Sequence, residues 1–158
     1  SSNSYTAASS VTNGTLELSF NDLGDSSGIN FNAETTFSPL FRVINNGSSA
    51  TDLSIYSDDA ANGIGSPDVL TGSGYSNVIK NSLSDGSGNN VPIEYAFTDG
   101  SSSLVGNTSS GSSVNISAEA DQEISLVIGV GSPPSGFDQS SSSLSGYISG
   151  ITLYADSS

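Results

Sequence analysis

The chain has 158 residues, enough for one domain with a core of its own and too few to expect two. Hydrophobic residues make up 34 % of it, and Ser, Gly, Asn, Thr and Asp fill most of the rest, the usage of a β protein with many turns. Two basic residues, Arg42 and Lys80, stand against 16 acidic ones for a formal net charge of -14, which excludes nucleic acid and anionic membrane surfaces as partners because nothing here neutralises phosphates.

The first twelve residues, SSNSYTAASSVT, alternate Tyr5, Ala7, Ser9 and Val11 against Thr6, Ala8, Ser10 and Thr12. They are small and suit a narrow groove, so the segment reads as a strand inserted into another molecule, as an ordinary first strand, or as a tail. Asn13-Gly14 is a tight-turn dipeptide. Thr15 to Phe20 then alternates Leu16, Leu18 and Phe20 against Thr15, Glu17 and Ser19, a half-buried strand. Phe37 to Asn45 is a long apolar strand whose Pro39 belongs at an edge, a strand start or a bulge, because it donates no ladder hydrogen bond. Asn46-Gly47 turns the chain into Thr51 to Tyr56 with Leu53 and Ile55 inward.

Between Ser57 and Thr71 the Gly- and Asp-rich stretch predicts a surface excursion outside the core. Further strands are expected over Asn77 to Leu83 and Val91 to Phe97, then a low-complexity loop from Asp99 to Ser113. Val114 to Ala120 alternates, Glu123 to Val130 is the most apolar strand, and Gly146 to Ala155 closes the chain. SPPSGFDQSSSS between the last two is a crossing loop. The fold class that follows is all-β, a jelly-roll-like two-sheet sandwich of about eight strands in a single domain over 13–158, preceded by the 1–12 segment.

With no His, Cys, Met or Trp, the chain can build no disulfide, thiol nucleophile or Ser-His-Asp arrangement. A glycosidase needs only two carboxylates but also an aromatic-lined cleft, and no Trp is present to line one, so no enzymatic activity is expected. The acids read as a solvated surface whose self-repulsion is relieved at molar salt, where the Debye length falls to about 3 Å. That points to a halophile, and the 6 Phe and 6 Tyr argue against a disordered acidic chain. Oxygen ligands cluster in three loops, at Asp22, Asp25, Asn30, Asn32 and Glu34; at Asp58, Asp59, Asn62 and Asp68; and at Asp85, Ser87, Asn89 and Asn90. None has the EF-hand spacing, so no cofactor is expected; a structural calcium is the lesser reading, with Asp58, Asp59 and Asp68 its best ligands. Ser1 reads as the product of signal-peptide removal, and sequons at Asn13, Asn46, Asn107 and Asn115 fit N-glycosylation of a secreted protein. No apolar run approaches the ~20 residues of a membrane span. Arg42 and Lys80, each inside an apolar strand, call for carboxylate partners or a subunit contact.

The order of a small-residue N-terminal segment, NGTLELSF, FSPLFRVINNGSSATDLSIY with its V-x-N-x-G pattern, and a closing pair of apolar strands resembles the TasA and camelysin family of matrix fibre proteins, with archaeal bundling pili and secreted haloarchaeal proteins alongside. The resemblance implies a secreted jelly-roll subunit of a pilus or biofilm-matrix filament that polymerises by donor-strand complementation. Its donor strand maps onto Ser1 to Thr12, with Tyr5, Ala7, Ser9 and Val11 toward the acceptor, and its partners are identical subunits and neighbouring filaments. Metalloprotease activity, described for camelysin-type members, is not implied because no HExxH exists without His. The alternatives are a cell-surface carbohydrate- or calcium-binding sandwich module and a viral or surface-layer jelly-roll protein. A type IV pilin is disfavoured for want of an apolar N-terminal helix.

Overall fold

The computed structural model describes residues 8–12, 15–19, 30–57, 63–72, 74–107, 110–111, 113–141, 143–144 and 151–157, with backbone alone at 8–12, 15–19, 57, 106–107, 110–111, 141, 143–144, 151–152 and 157. Within these residues the chain forms strands and one short 3₁₀ turn, with no α-helix. The strands are β1 (Ala8–Thr12), β2 (Thr15–Ser19), β3 (Ala33–Ile44), β4 (Thr51–Ser57), β5 (Ile64–Gly65), β6 (Val78–Ser84), β7 (Asn90–Thr98), β8 (Gly106–Asn107), β9 (Ser110–Gly111), β10 (Val114–Ile116), β11 (Asp121–Val130), β12 (Ser143–Leu144) and β13 (Ile151–Ser157).

Two antiparallel sheets carry the fold. The larger has the order β12-β6-β7-β11-β3, with β5 added to the outer edge of β6, and the smaller has the order β10-β4-β13. Strand alternation sends Phe37, Ile79, Val91, Ile93, Phe97, Ile124, Leu126, Ile128 and Val130 of the larger sheet into one core with Leu53, Ile55 and Ile116 of the smaller. Two short crossings connect the layers, residues 45–50 from β3 to β4 and residues 117–120 from β10 to β11. Asn45 holds the crossings together: its carboxamide donates to the carbonyls of Ser49 at 2.9 Å, Ile116 at 3.0 Å and Ser117 at 3.2 Å, and its Oδ1 accepts from the Gly47 N–H at 2.9 Å.

Pro39 sits where its missing donor is tolerated. Among the described residues β3 is an edge strand, and the ladder shifts register between Ile124↔Phe41 and Leu126↔Phe37, so Pro39 lies in a bulge; the Ser38-Pro39 peptide is cis. The strand expected to run to Ala120 stops at Ile116 instead. Ser117 to Ala120 is a turn, with Ala120 N–H bonded to the Ser117 carbonyl at 3.2 Å, because the chain must reach the other layer within four residues.

The excursion expected to lie outside the core reaches it at one residue, and the low-complexity loop also contributes buried side chains. In the excursion after β4, Leu70 is buried and packs with Val78, Ala96 and Val127 on the outer face of the larger sheet, with Tyr75 against them. Gly129 makes room, since a Cβ there would lie 2.7 Å from Leu70 Cδ2. The central strands are thus covered on both faces, which is why EISLVIGV lacks polar alternation. In the loop after β7, Leu104 and Val105 are fully buried, and the Leu104 carbonyl accepts from Ile55 N–H at 2.9 Å. A parallel bridge Ile55↔Val105 closes that side of β4.

Candidate strand-acceptor edge

Among the described residues the two sheets do not cover each other completely. β3 is joined to β4 and β11 to β10 by the two short crossings, and β3 lies beside β11 as β4 lies beside β10. β4 therefore stands over β3, and β10 over β11. β13 lies one strand further out than β4, over a position beside β3 that no described strand occupies. Leu153 and Ala155 are paired directly with Ile55 and Leu53, which fixes them to the inward face, yet Leu153 is 46 % exposed where Ile55 is 0 %.

The vacant position has one hydrogen-bonding wall and two apolar ones. The wall is the outer edge of β3 on the far side of Pro39, where Leu40 to Ile44 forms an uninterrupted five-residue stretch to which no described strand is laddered. On this stretch Phe41 and Val43 are half-buried against the core, and Leu153 and Ala155 lie across the gap. Exposed edges of this kind pair with other strands unless they are blunted or covered. Arg42 lies on the outer face here, bonded to Glu123 at 2.6 Å and to Asp121 at 3.1 Å on neighbouring β11. The Glu123 bond and the two carboxylates hold its guanidinium pKa above the ordinary value.

The N-terminal residues divide between described and undescribed. Tyr5 and Ala7 lie outside the described residues. Ser9 and Val11 are in β1, which pairs antiparallel with β2 of its own chain, placing Ser9 opposite Leu18 and Val11 opposite Leu16. Thr12 pairs with Thr15, so only Asn13-Gly14 joins the two strands, the shortest hairpin connection. Among the described residues this two-stranded sheet shares no ladder with either larger one.

The remaining candidate residues are engaged elsewhere or exposed. Asp58 and Asp59 lie outside the described residues, while Asp68 bonds Lys80 Nζ at 2.6 Å. No group of three acids that could cage a metal occurs among the described residues. In the turn after β6, Asp85 is buried and its carboxylate accepts from the N–H groups of Ser87 at 2.8 Å and Asn89 at 3.1 Å and from the Asn89 carboxamide at 2.7 Å. Of the sequons, Asn13 lies outside the described residues and Asn107 falls in β8. Asn46 is exposed in the crossing after β3, and Asn115, exposed in β10, donates to Asp52 Oδ1 at 2.8 Å.

Sequence reading missed the group that ties the excursion down. Glu94 projects from the outer face of β7, is 1 % exposed, and accepts the backbone N–H groups of Asp68 at 2.7 Å and of Val69 and Leu70 at 2.9 Å each. Lys80, its cross-strand neighbour on β6, lies 3.9 Å from it. The signal available was one acid inside an otherwise apolar strand, VPIEYAF. On the far side of the excursion Tyr75 meets Glu34 of β3, and burial followed by that carboxylate pushes the Tyr75 phenol pKa up.

Comparison with protein-family models, with curated proteins and with solved structures returned no match for this chain.

Proposed function

We propose that this protein is a structural subunit of an extracellular filament, a jelly-roll-like domain that assembles head to tail when the N-terminal strand of one copy fills the vacant position of the next. The observation that carries this reading is the half-exposed inward face of β13 over the edge of β3, to which no described strand is laddered. β1 spans five residues, as does the stretch from Leu40 to Ile44. Residues 1–16 carry no charge, so a neighbour's leading segment approaches a domain of net charge -14 without repulsion of its own. One donor and one acceptor per subunit, in a contact that does not close on itself, generate a thread. Identical subunits are the partners, secretion provides the setting, and the acidic surface keeps threads apart until salt or a divalent cation screens them.

The energetics set a condition on this joint. Five ladder residues give about five main-chain hydrogen bonds worth ~0.5–1.5 kcal/mol each, against ~1–2 kcal/mol for ordering each residue of a free tail. Backbone pairing alone therefore does not drive assembly. Covering the exposed part of Leu153 adds roughly 1 kcal/mol, since full burial of a Leu side chain is worth about 1.5–3 kcal/mol. The side chains of the donor supply the rest.

The deciding experiment is negative-stain microscopy at high salt on the full chain and on a chain lacking residues 1–12, with circular dichroism to verify that both are folded. Threads from the full chain and single particles from the truncated one are expected. Threads from both exclude a donor role for the segment. A surface carbohydrate-binding module is the second reading, favoured by exposed Tyr154, whose ring lies tilted against that of Tyr56 at a centroid distance of 5.6 Å on the outer face of the smaller sheet. It predicts a monomer whose melting temperature rises with a neutral polysaccharide.

A further inference from the structure

We propose that the outer face of the smaller sheet binds a cationic amino polysaccharide: a sugar ring lies on Tyr56 and Tyr154, and its ammonium group meets Asp52 and Asp156. The inference rests on the carbohydrate reading for the sugar and adds the charge. It holds for a thread-forming subunit as well as for a monomer.

The tyrosines supply the platform. Alternation along β4 and β13 turns Leu53, Ile55, Leu153 and Ala155 inward, so Asp52, Ser54, Tyr56, Tyr154 and Asp156 share the outer face. Tyr56 lies back along its own strand, since its hydroxyl accepts from Ser54 Oγ, two residues earlier, at 3.3 Å. Its ring therefore covers Ser54, which is 8 % exposed, and leaves its other face outward. Tyr154 is opposite Ser54 in the ladder and 46 % exposed, and its ring stands beside that of Tyr56 at 5.6 Å between centroids and 44° between planes. A lying ring and a tilted one form a shallow aromatic trough, against which the C–H face of a sugar packs.

The charge comes from the next outward pair along the same strands, about 7 Å further on. Asp52 and Asp156 are directly opposed there, and Asn115, on the other side of Asp52, donates to its Oδ1 at 2.8 Å. Like charges directly opposed across a ladder repel. The two cations of the chain are on the larger sheet, where Arg42 of β3 is bonded to Asp121 and Glu123 and Lys80 of β6 to Asp68. A bound ammonium relieves the repulsion between Asp52 and Asp156 and is drawn to the tyrosine ring faces as well.

Size decides against a protein partner. Three strands about 4.8 Å apart and five residues at about 3.4 Å each give a face of roughly 140 Å², where a stable protein–protein interface takes about 800 Å² from each partner. A sugar unit fits such a face.

The test titrates the full chain, by isothermal titration calorimetry, with glucosamine oligomers and with N-acetylated oligomers of the same length. It is run at mildly acidic pH, where the free amine is charged, and at the lowest salt at which circular dichroism shows the chain folded. The amine form is expected to bind about tenfold more tightly than the acetylated form, the combined effect of a surface cation–π contact and exposed ion pairs. Tyr154→Ala weakens both oligomers. Asp52→Asn/Asp156→Asn abolishes the preference, whereas Asp68→Asn/Glu123→Gln, which takes the same charge from the other sheet, keeps it.

Equal loss of preference in the two double variants overturns the proposal, because the attraction then belongs to the whole acidic surface. A lysine oligomer that binds more tightly than the glucosamine oligomer, with the same dependence on Asp52 and Asp156, overturns it in favour of a cationic peptide. Equal binding of the amine and acetylated oligomers, lost in Tyr154→Ala, overturns it and leaves the carbohydrate reading standing. Binding of neither ends both.

Discussion

Replacing Glu94 by Gln tests whether one carboxylate holds the excursion over the larger sheet. The side chain is 1 % exposed and accepts three backbone N–H groups, one on Oε1 and two on Oε2. A Gln keeps the shape but has one acceptor oxygen. With that oxygen placed to serve Val69 and Leu70, its NH₂ group faces the Asp68 N–H, and a hydrogen bond becomes a donor–donor contact. The two surviving bonds fall from the charged range of about 1.5–3 kcal/mol toward the neutral range of about 0.5–1.5 kcal/mol. Together with the lost bond, the expected cost is about 3 kcal/mol, at the lower end of what removing one partner of a buried ionic contact costs. At about 2–4 °C per kcal/mol for a chain of this size, Tm falls by roughly 6–12 °C. Hydrogen exchange locates the damage. The amides of Asp68, Val69 and Leu70 lose protection first, while those of β7 and β11 follow the global stability. A variant whose Tm stays within about 2 °C of the parent, with those three amides as slow as before, refutes the assignment of Glu94 as the anchor.

Gly129→Ala places a Cβ at 2.7 Å from Leu70 Cδ2 and 2.8 Å from its Cγ, an overpacking expected to cost about 1–3 kcal/mol in urea unfolding. Adding Leu70→Ala relieves the crowding, so the double variant is more stable than the two single effects summed. The Asp85 carboxylate pKa is held below its ordinary value, chiefly by the Asn89 carboxamide and further by backbone N–H groups of Ser87, Asp138 and Asn89, against the opposing effect of burial. A depressed folded-state pKa contributes stability that is present above the unfolded-state pKa and lost as pH falls through the folded one. Asp85→Asn therefore flattens the acid limb of the stability curve, and an unchanged acid limb in pH-dependent thermal melts rejects this. Leu153→Asp gives up the buried half of the side chain, at about 1 kcal/mol, which leaves the fold intact, but it puts a charge into the acceptor and abolishes threads, whereas Leu153→Ile retains them.

Much of the architecture was legible because alternation of apolar residues reports directly on which faces are buried. Leu53 and Ile55 were assigned inward from TDLSIY and are fully or nearly fully buried, and Pro39 was confined to an edge, a strand start or a bulge because it lacks an N–H. The lone cations were expected to meet carboxylates or a subunit contact, and carboxylates lie beside both Arg42 and Lys80. Composition misled where a few apolar residues were embedded in polar sequence. Leu70 and Leu104, in stretches dominated by Gly, Ser and Asp, are buried because backbone hydrogen bonds to Glu94 and to Phe97 carry those loops onto the sheets.

Composition and periodicity by themselves determined an all-β chain, strand-rich and acidic, without a thiol or imidazole for catalysis, because these follow from residue type and from spacing along one segment. Which edge is left open is a different kind of fact. GYISGITLYA reads as an ordinary closing strand, and nothing local marks Leu153 as inward yet uncovered. That depends on β13 being placed one strand beyond β4, with no described strand beside β3 to meet it. Likewise the alternation of Ser9 and Val11 sets their face but not their partner; the pairing with Leu18 and Leu16 exists only once two segments meet in one register.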